Sequence, residues 1–288
     1  MLHGGLRMAA RVCPYCRELN GAAEPRCYRC GRRLPGPVGE GVSQVVRQLL
    51  GAEAPFTRLL LALELLVFGL LVVADRHLPI GLGGLGAGFR RSALLRFGAM
   101  GFGTETAEPW RLLSAMFVHM SVLHVGMNLW MFTDLGARLE RELGGGRAAL
   151  IFLVTGVLGF VASELWYAPL SILTAGASGG VFGQIGAEVG VLGARRDPEW
   201  KRSLIRNLLY ALVLSLAMPG VNNAAHLGGF AAGIALGYAF EVERRRWSLD
   251  RALRAVAVLF VLAAVGAVAL STRSSAWQVM RAHELYSE

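Results

Sequence analysis

The sequence predicts an all-α polytopic membrane protein that carries a small cysteine-bearing head. Three observations carry that reading. The chain is 54% hydrophobic and only 17% charged, against roughly 25% charge in a soluble globular domain. Its apolar residues gather into seven runs close to the ~20 residues that a spanning helix needs. Its arginines bracket those runs instead of interrupting them. Mean hydropathy is +0.48 over 288 residues.

The head comes first. All four cysteines fall in two pairs, Cys13-Pro14-Tyr15-Cys16 and Cys27-Tyr28-Arg29-Cys30. Two CxxC turns present four thiolates at the corners of a tetrahedron, the ligand set of a closed structural Zn2+ site, so no metal catalysis is expected there. The ten residues between the pairs suffice for a minimal ribbon. The alternative, two disulfides, needs an oxidising compartment, and the arginine-rich flanks argue against export. Residues 1–34 thus read as a zinc-ribbon-like module, and residues 35–56 as a linker. No long apolar core precedes residue 57, so the N-terminus is expected to stay in the cytoplasm.

Spans follow at about 57–74, 115–135, 148–165, 178–192, 204–218, 224–240 and 255–270, with a polar tail behind the last. The arginine-bearing stretches 138–147, 195–202 and 244–254 fall on the side of the N-terminus. The turns at 166–174 and 219–223 carry no lysine or arginine and fall on the other side. That asymmetry places the N-terminus inside and the C-terminus outside. The segment 75–114 departs from it with five arginines, and its length suggests structure of its own. A net charge of +9 would suggest nucleic acid in a soluble chain. Here the cations flank apolar runs and face lipid headgroups, so membrane lipids are expected partners and nucleic acid is not.

Glycines recur at 176, 179, 183, 186 and 190 in the fourth span and at 229, 233 and 237 in the sixth. Small residues at that spacing let two helices approach closely. If the stripes face each other, Ser178 and His226 meet near matching ends of their spans. Polar and ionisable groups at membrane depth are functional hypotheses by default. A serine needs a base within hydrogen-bond reach to attack an amide carbonyl, which His226 supplies. Asp134 and Glu188 lie towards the other ends of their spans, so a dyad is expected, not a triad. Phe182, one turn after Ser178, shares its face and is placed to stack on the His226 ring. An oxyanion needs preorganised donors. His124 and Asn128, at i and i+4 on the second span, together with the Ser178 backbone N–H, are the candidates. His119 is read as a structural residue at the water boundary.

These residues resemble the rhomboid family of intramembrane serine proteases. The resemblance rests on Trp110-Arg111 before the second span, His124-xxx-Asn128 within it, and Glu140 with Gly144-Gly145-Gly146 after it. It continues with Gly176-x-Ser178-Gly179 opening the fourth span and Ala225-His226-xx-Gly229-xxx-Gly233 opening the sixth. It covers about residues 57–243 and implies a six-helix core, with the seventh helix and tail at 244–288 as additions. It further implies Ser178 as nucleophile, His226 as general base, and an oxyanion hole of His124, Asn128 and the Ser178 amide. Arg111 and Glu140 would stabilise the first long loop and the loop after the second span. The activity implied is hydrolysis of peptide bonds in or near transmembrane segments of single-span or other membrane proteins, with no cofactor for catalysis. The expected setting is a bacterial inner (plasma) membrane, and the zinc module leaves room for a cytoplasmic protein partner. Pro219-Gly220 reads as a hinge for substrate entry. An inactive relative would be expected to lack the serine or the histidine. A transporter would be expected to show internal repeats, and a tethered zinc scaffold leaves the Ser–His pair unexplained.

Overall fold

The computed structural model describes residues 11–13, 18–21, 24–31, 34, 54–76, 88–101, 104–167, 172–217, 221–246 and 249–287. The hinge expected at Pro219-Gly220, and Cys16, lie outside them. The chain divides into two compact units, 1–52 and 53–288.

In the first unit β1 (Arg11–Val12) pairs antiparallel with β2 (Leu19–Asn20), Arg11 facing Asn20. The turn returns through Cys13 N–H to Glu18 O at 2.8 Å. Asn20 accepts the Tyr28 N–H at 3.1 Å and so ties the second knuckle to the hairpin. Gly31 closes that knuckle at φ 69°, with its N–H on Cys27 O; a side chain would be strained there. Cys13, Cys27 and Leu34 are buried together.

The second unit is helical. α1 is Pro55–Asp75, α2 Arg91–Phe97, α3 Thr104–Ala107 and α4 Arg111–Ser114, followed by a 3-10 turn at Ala115–Phe117. α5 is Val122–Leu143, α6 Gly145–Tyr167, α7 Ser178–Ala194, α8 Glu199–Ala217, α9 Asn223–Arg246, α10 Asp250–Arg273 and α11 Ala276–Ser287. α1, α6 and α10 are long and apolar enough to cross a membrane by length and composition. The helices before and after residues 118–121, bent by 96°, add a fourth if counted as one span. α7 has 17 residues, about 25 Å of helix. The chain is an all-α polytopic membrane protein.

The second span, expected as one run from 115 to 135, is broken. Ser121 caps α5 by accepting the His124 N–H at 3.2 Å, so the helix starts afresh below the bend. The segment 75–114 does hold structure of its own in α2–α4. The stretch expected as a polar tail is α11, a helix docked on α2. Glu284 accepts from Ser92 N (3.1 Å) and Ser92 Oγ (2.5 Å), and the Arg96 guanidinium lies 4.9 Å over the Trp277 ring. Composition called it a tail because these bonds are tertiary.

Among the described residues α7 and α9 form the tightest helix pair. A Cβ built on Gly229, Gly233 or Gly237 would overlap the carbonyl oxygens of Gly179, Gly183 and Ala187 in turn. Only glycine permits backbone to lie on backbone in this way, so the stripes fix both the spacing and the register of the two helices. α6 packs against both. α1 is anchored at its start by Glu140, whose carboxylate accepts Phe56 N (3.1 Å), Thr57 N (2.9 Å) and Thr57 Oγ1 (2.8 Å). The two backbone N–H groups are among those that the first turn of a helix leaves without partners.

Candidate active site

The glycine register brings the first residue of α7 beside the first turn of α9. His226 Nε2 lies 2.8 Å from Ser178 Oγ. Among the described residues this is the hydrogen bond that the ring makes, and no carboxylate joins it. If the ring accepts the hydroxyl proton at Nε2, its own proton sits on Nδ1; that tautomer is assigned from the geometry. The Phe182 ring stacks on the imidazole, centroids 4.2 Å apart and planes within 12°. His226 is buried and Ser178 half-buried, so the hydroxyl is the more accessible member of the pair.

Ser178 opens its helix. The N–H groups of the first turn have no carbonyl to bond within α7 and carry the positive end of its dipole. An oxygen that gains negative charge beside Ser178 meets that field. His124 stands over Gly176, two residues before Ser178: a Cβ there would come within 2.7 Å of the His124 ring. Gly176 also takes φ 127°, with its N–H on Ala115 O at 2.9 Å, so both space and backbone exclude a side chain. His124 Nδ1 accepts the Met120 N–H at 3.3 Å, which leaves the proton on Nε2 as a donor on the Gly176 side. Asn128 is buried and gives one amide hydrogen to His124 O at 2.8 Å, leaving its second hydrogen for another acceptor.

His119 corrects an expectation. It is fully buried, not at a water boundary. Its ring meets the His124 ring edge-on at 5.1 Å, and its Nε2 accepts the Ala177 N–H at 3.4 Å. The break after Phe117 turns it inward. Arg111 is also fully buried. It donates to Leu95 O (2.6 Å), Ala99 O (2.8 Å) and Glu108 (2.5 Å), closing the carboxyl end of α2. Trp110 is half-buried at the start of α4, and no described residue takes its indole N–H. Glu140 and the Gly144-Gly145 turn lie at the other end of α5. They hold the frame and do not reach the Ser–His pair.

Sequence reading missed three polar residues here. Asn222 donates to Ser163 Oγ (2.7 Å) and Thr174 Oγ1 (2.8 Å), and accepts the Ala225 N–H (3.0 Å). An asparagine directly before a helical run is a cap signal, whereas the stretch reads first as an uncharged turn.

In the first unit the sulfurs of Cys13, Cys27 and Cys30 lie within 4.8 Å of one another, with Cys13 and Cys30 at 3.7 Å. Four sulfurs at about 2.3 Å from a tetrahedral Zn2+ stand about 3.8 Å apart. The three thiols fit such an ion.

The fold and site together define a helical membrane protein with a Ser–His pair at the adjacent amino ends of two glycine-striped helices. Residues 106–244 match the family model of the rhomboid domain, and the chain belongs to the rhomboid family. It is 30% identical over 242 residues to rhomboid protease GluP of Bacillus subtilis (strain 168), an alignment covering 81% of this chain and 44% of that protein. It is 38% identical over 135 residues to RHOMBOID-like protein 4 of Arabidopsis thaliana, covering 46% of this chain and 34% of that one. It is 36% identical over 136 residues to rhomboid-type serine protease 2 of Emericella nidulans, covering 45% and 27%. The chain spans less than half the length of each of these curated relatives.

Proposed function

We propose that this chain is an intramembrane serine endopeptidase that hydrolyses peptide bonds in or near transmembrane segments of membrane proteins. The observation that carries the reading is the 2.8 Å contact between His226 Nε2 and Ser178 Oγ at the opening of α7. His226 takes the hydroxyl proton as Oγ attacks the carbonyl carbon, then delivers it to the leaving amine. Water repeats the sequence on the acyl-enzyme. Phe182 holds the ring flat while it changes charge. The tetrahedral oxygen is met by the Ser178 N–H, the His124 Nε2–H and the second amide hydrogen of Asn128. No acid is needed to orient the base, because the ring face is already fixed.

The names of the relatives, a rhomboid protease and a rhomboid-type serine protease, support the same activity. On the arginine distribution, the N-terminus faces the cytoplasm and the C-terminus the outside of a bacterial plasma membrane. The core would be residues 57–243, with α10 and α11 in 244–288 as additions. Residues 1–34 would hold one structural Zn2+ through Cys13, Cys16, Cys27 and Cys30 and engage a cytoplasmic partner. Zinc analysis of the full chain should give about one ion per chain, and Cys13→Ser should lose it.

Fluorophosphonate labelling tests the activity. The protein should be modified at Ser178, while Ser178→Ala should not label and His226→Ala should label at least about 10⁴-fold more slowly. Labelling of Ser178→Ala at the wild-type rate would remove the serine from the role.

A further inference from the structure

Asn222 is hydrogen-bonded to three separate segments at once. Its carboxamide oxygen accepts the Ala225 N–H at 3.0 Å, and its backbone carbonyl accepts the His226 N–H at 3.1 Å. Its two amide hydrogens go to Ser163 Oγ (2.7 Å), near the end of α6, and Thr174 Oγ1 (2.8 Å), in the strand-like lead into Ser178. Both hydrogens and the carbonyl are in use, so the orientation of the amide is determined by its partners. Ser163 and Thr174 are buried. Thr174 is itself fixed by a two-way backbone exchange with Met100, at 3.0 and 2.9 Å. It precedes Ser178 by four residues, as Asn222 precedes His226.

This symmetry matters because of what lies beneath. One turn below His226, Gly229 rests directly on the Gly179 carbonyl. Glycine stripes fix the spacing and register of the two helices, but they begin one turn below the histidine and supply no side chain that ties the first turn of α9 to the segment leading into Ser178. We infer that Asn222 is the positioning residue of the Ser178–His226 pair, joining the lead into the serine to the turn that carries the histidine. The inference rests on the dyad reading above. A displacement of about 1 Å between reacting groups costs on the order of 10²-fold in rate, so a link between these two segments acts on the chemistry directly.

The second-order rate of fluorophosphonate labelling at Ser178, and kcat and KM on a single-span substrate, separate this role from plain helix capping. Asn222→Ala should lower the labelling rate and kcat by about 10- to 100-fold with KM unchanged. Asn222→Asp keeps the acceptor for Ala225 and lets both hydroxyls turn round and donate to it, so it should recover most of the rate. Thr174→Val breaks the link while leaving the cap on α9 intact. It should lower the rate about tenfold with the thermal melt in detergent held near wild type. Wild-type labelling in Thr174→Val, or an Asn222→Asp variant no faster than Asn222→Ala, would overturn the inference, and the Thr174 variant decides if Asn222→Ala does not fold. Absence of labelling at Ser178 in the unmodified protein would instead bring down the dyad reading itself.

Discussion

At the Ser178 end of the bundle the groups that meet at the site are formally neutral: a hydroxyl, imidazoles, carboxamides and one phenyl ring. At the opposite end of the same helices the contacts are ionic. Glu241, with no exposed side chain, is met by Arg195, Arg244 and Arg245 at 3.1, 2.9 and 2.7 Å. Arg195 also reaches Glu142. Arg147, almost fully buried, grips Glu243 with two nitrogens (2.7 and 3.1 Å) and Asp250 with a third contact of 2.5 Å. Arg138 joins Asp134 on its own helix to Glu188 on α7, at 3.1 and 3.3 Å. The ion pair Glu108–Arg111 on the serine side braces the loop before α5 and makes no contact with the pair. The division has a physical consequence. A base works only unprotonated, and charge gathered at the far end holds the frame without adding a strong local field at the imidazole.

If the ends are separable in this way, substitutions should sort cleanly. Arg147→Ala should show the largest effect on stability. It removes the buried cation that Glu243 and Asp250 share, and breaking a buried pair costs about 3–5 kcal/mol. Unfolding in detergent micelles should register that loss, while the labelling rate of the folded fraction stays within about twofold. A large change in that rate would mean that the two ends are coupled.

The opposite pattern is expected for the two side chains proposed as oxyanion donors. His124→Ala and Asn128→Ala should each slow cleavage about 10²–10³-fold with little change in the melt. Each makes its visible hydrogen bond locally, His124 to Met120 N and Asn128 to His124 O. Wild-type rates in both variants would make the pair structural and would leave the oxyanion to the Ser178 N–H and the start of α7.

The features that read out of the sequence are those in which one residue type admits no substitute. Gly229, Gly233 and Gly237 show a stripe because a single Cβ would strike the facing backbone, so the α7–α9 pairing and the meeting of Ser178 with His226 follow from spacing. Phe182 follows from the helical period. The break at residues 118–121 does not, because the run from 115 to 135 is apolar on both sides of it and the bend is made by a serine cap. For the same reason spacing alone puts His119 at a water boundary, although it is buried. α11 was missed because its order depends on Ser92 and Arg96, nearly 200 residues away in sequence. Asn222 was missed because a cap and a turn use the same residues, and only its contacts with Ser163 and Thr174 distinguish the two.

Acid sharpens the comparison with the smallest effect. Burial alone would raise the Glu241 carboxyl, but hydrogen bonds from Arg195, Arg244 and Arg245 outweigh it and bring the group from 4.5 to about 2. Glu243 moves the same way: burial pushes it up, and Arg147 and the Leu249 N–H pull it down further. Between about pH 2 and 4.5 the unfolded chain therefore binds more protons at Glu241 than the folded chain does, so stability rises with pH across that window. The contribution is complete above about pH 4.5 and disappears as pH falls towards 2. Glu241→Gln should consequently lie below wild type in melting temperature at pH 7, and the two curves should converge as pH approaches 2. Curves that stay parallel down to pH 2 would show that the arginines at this end are held by something other than the Glu241 charge.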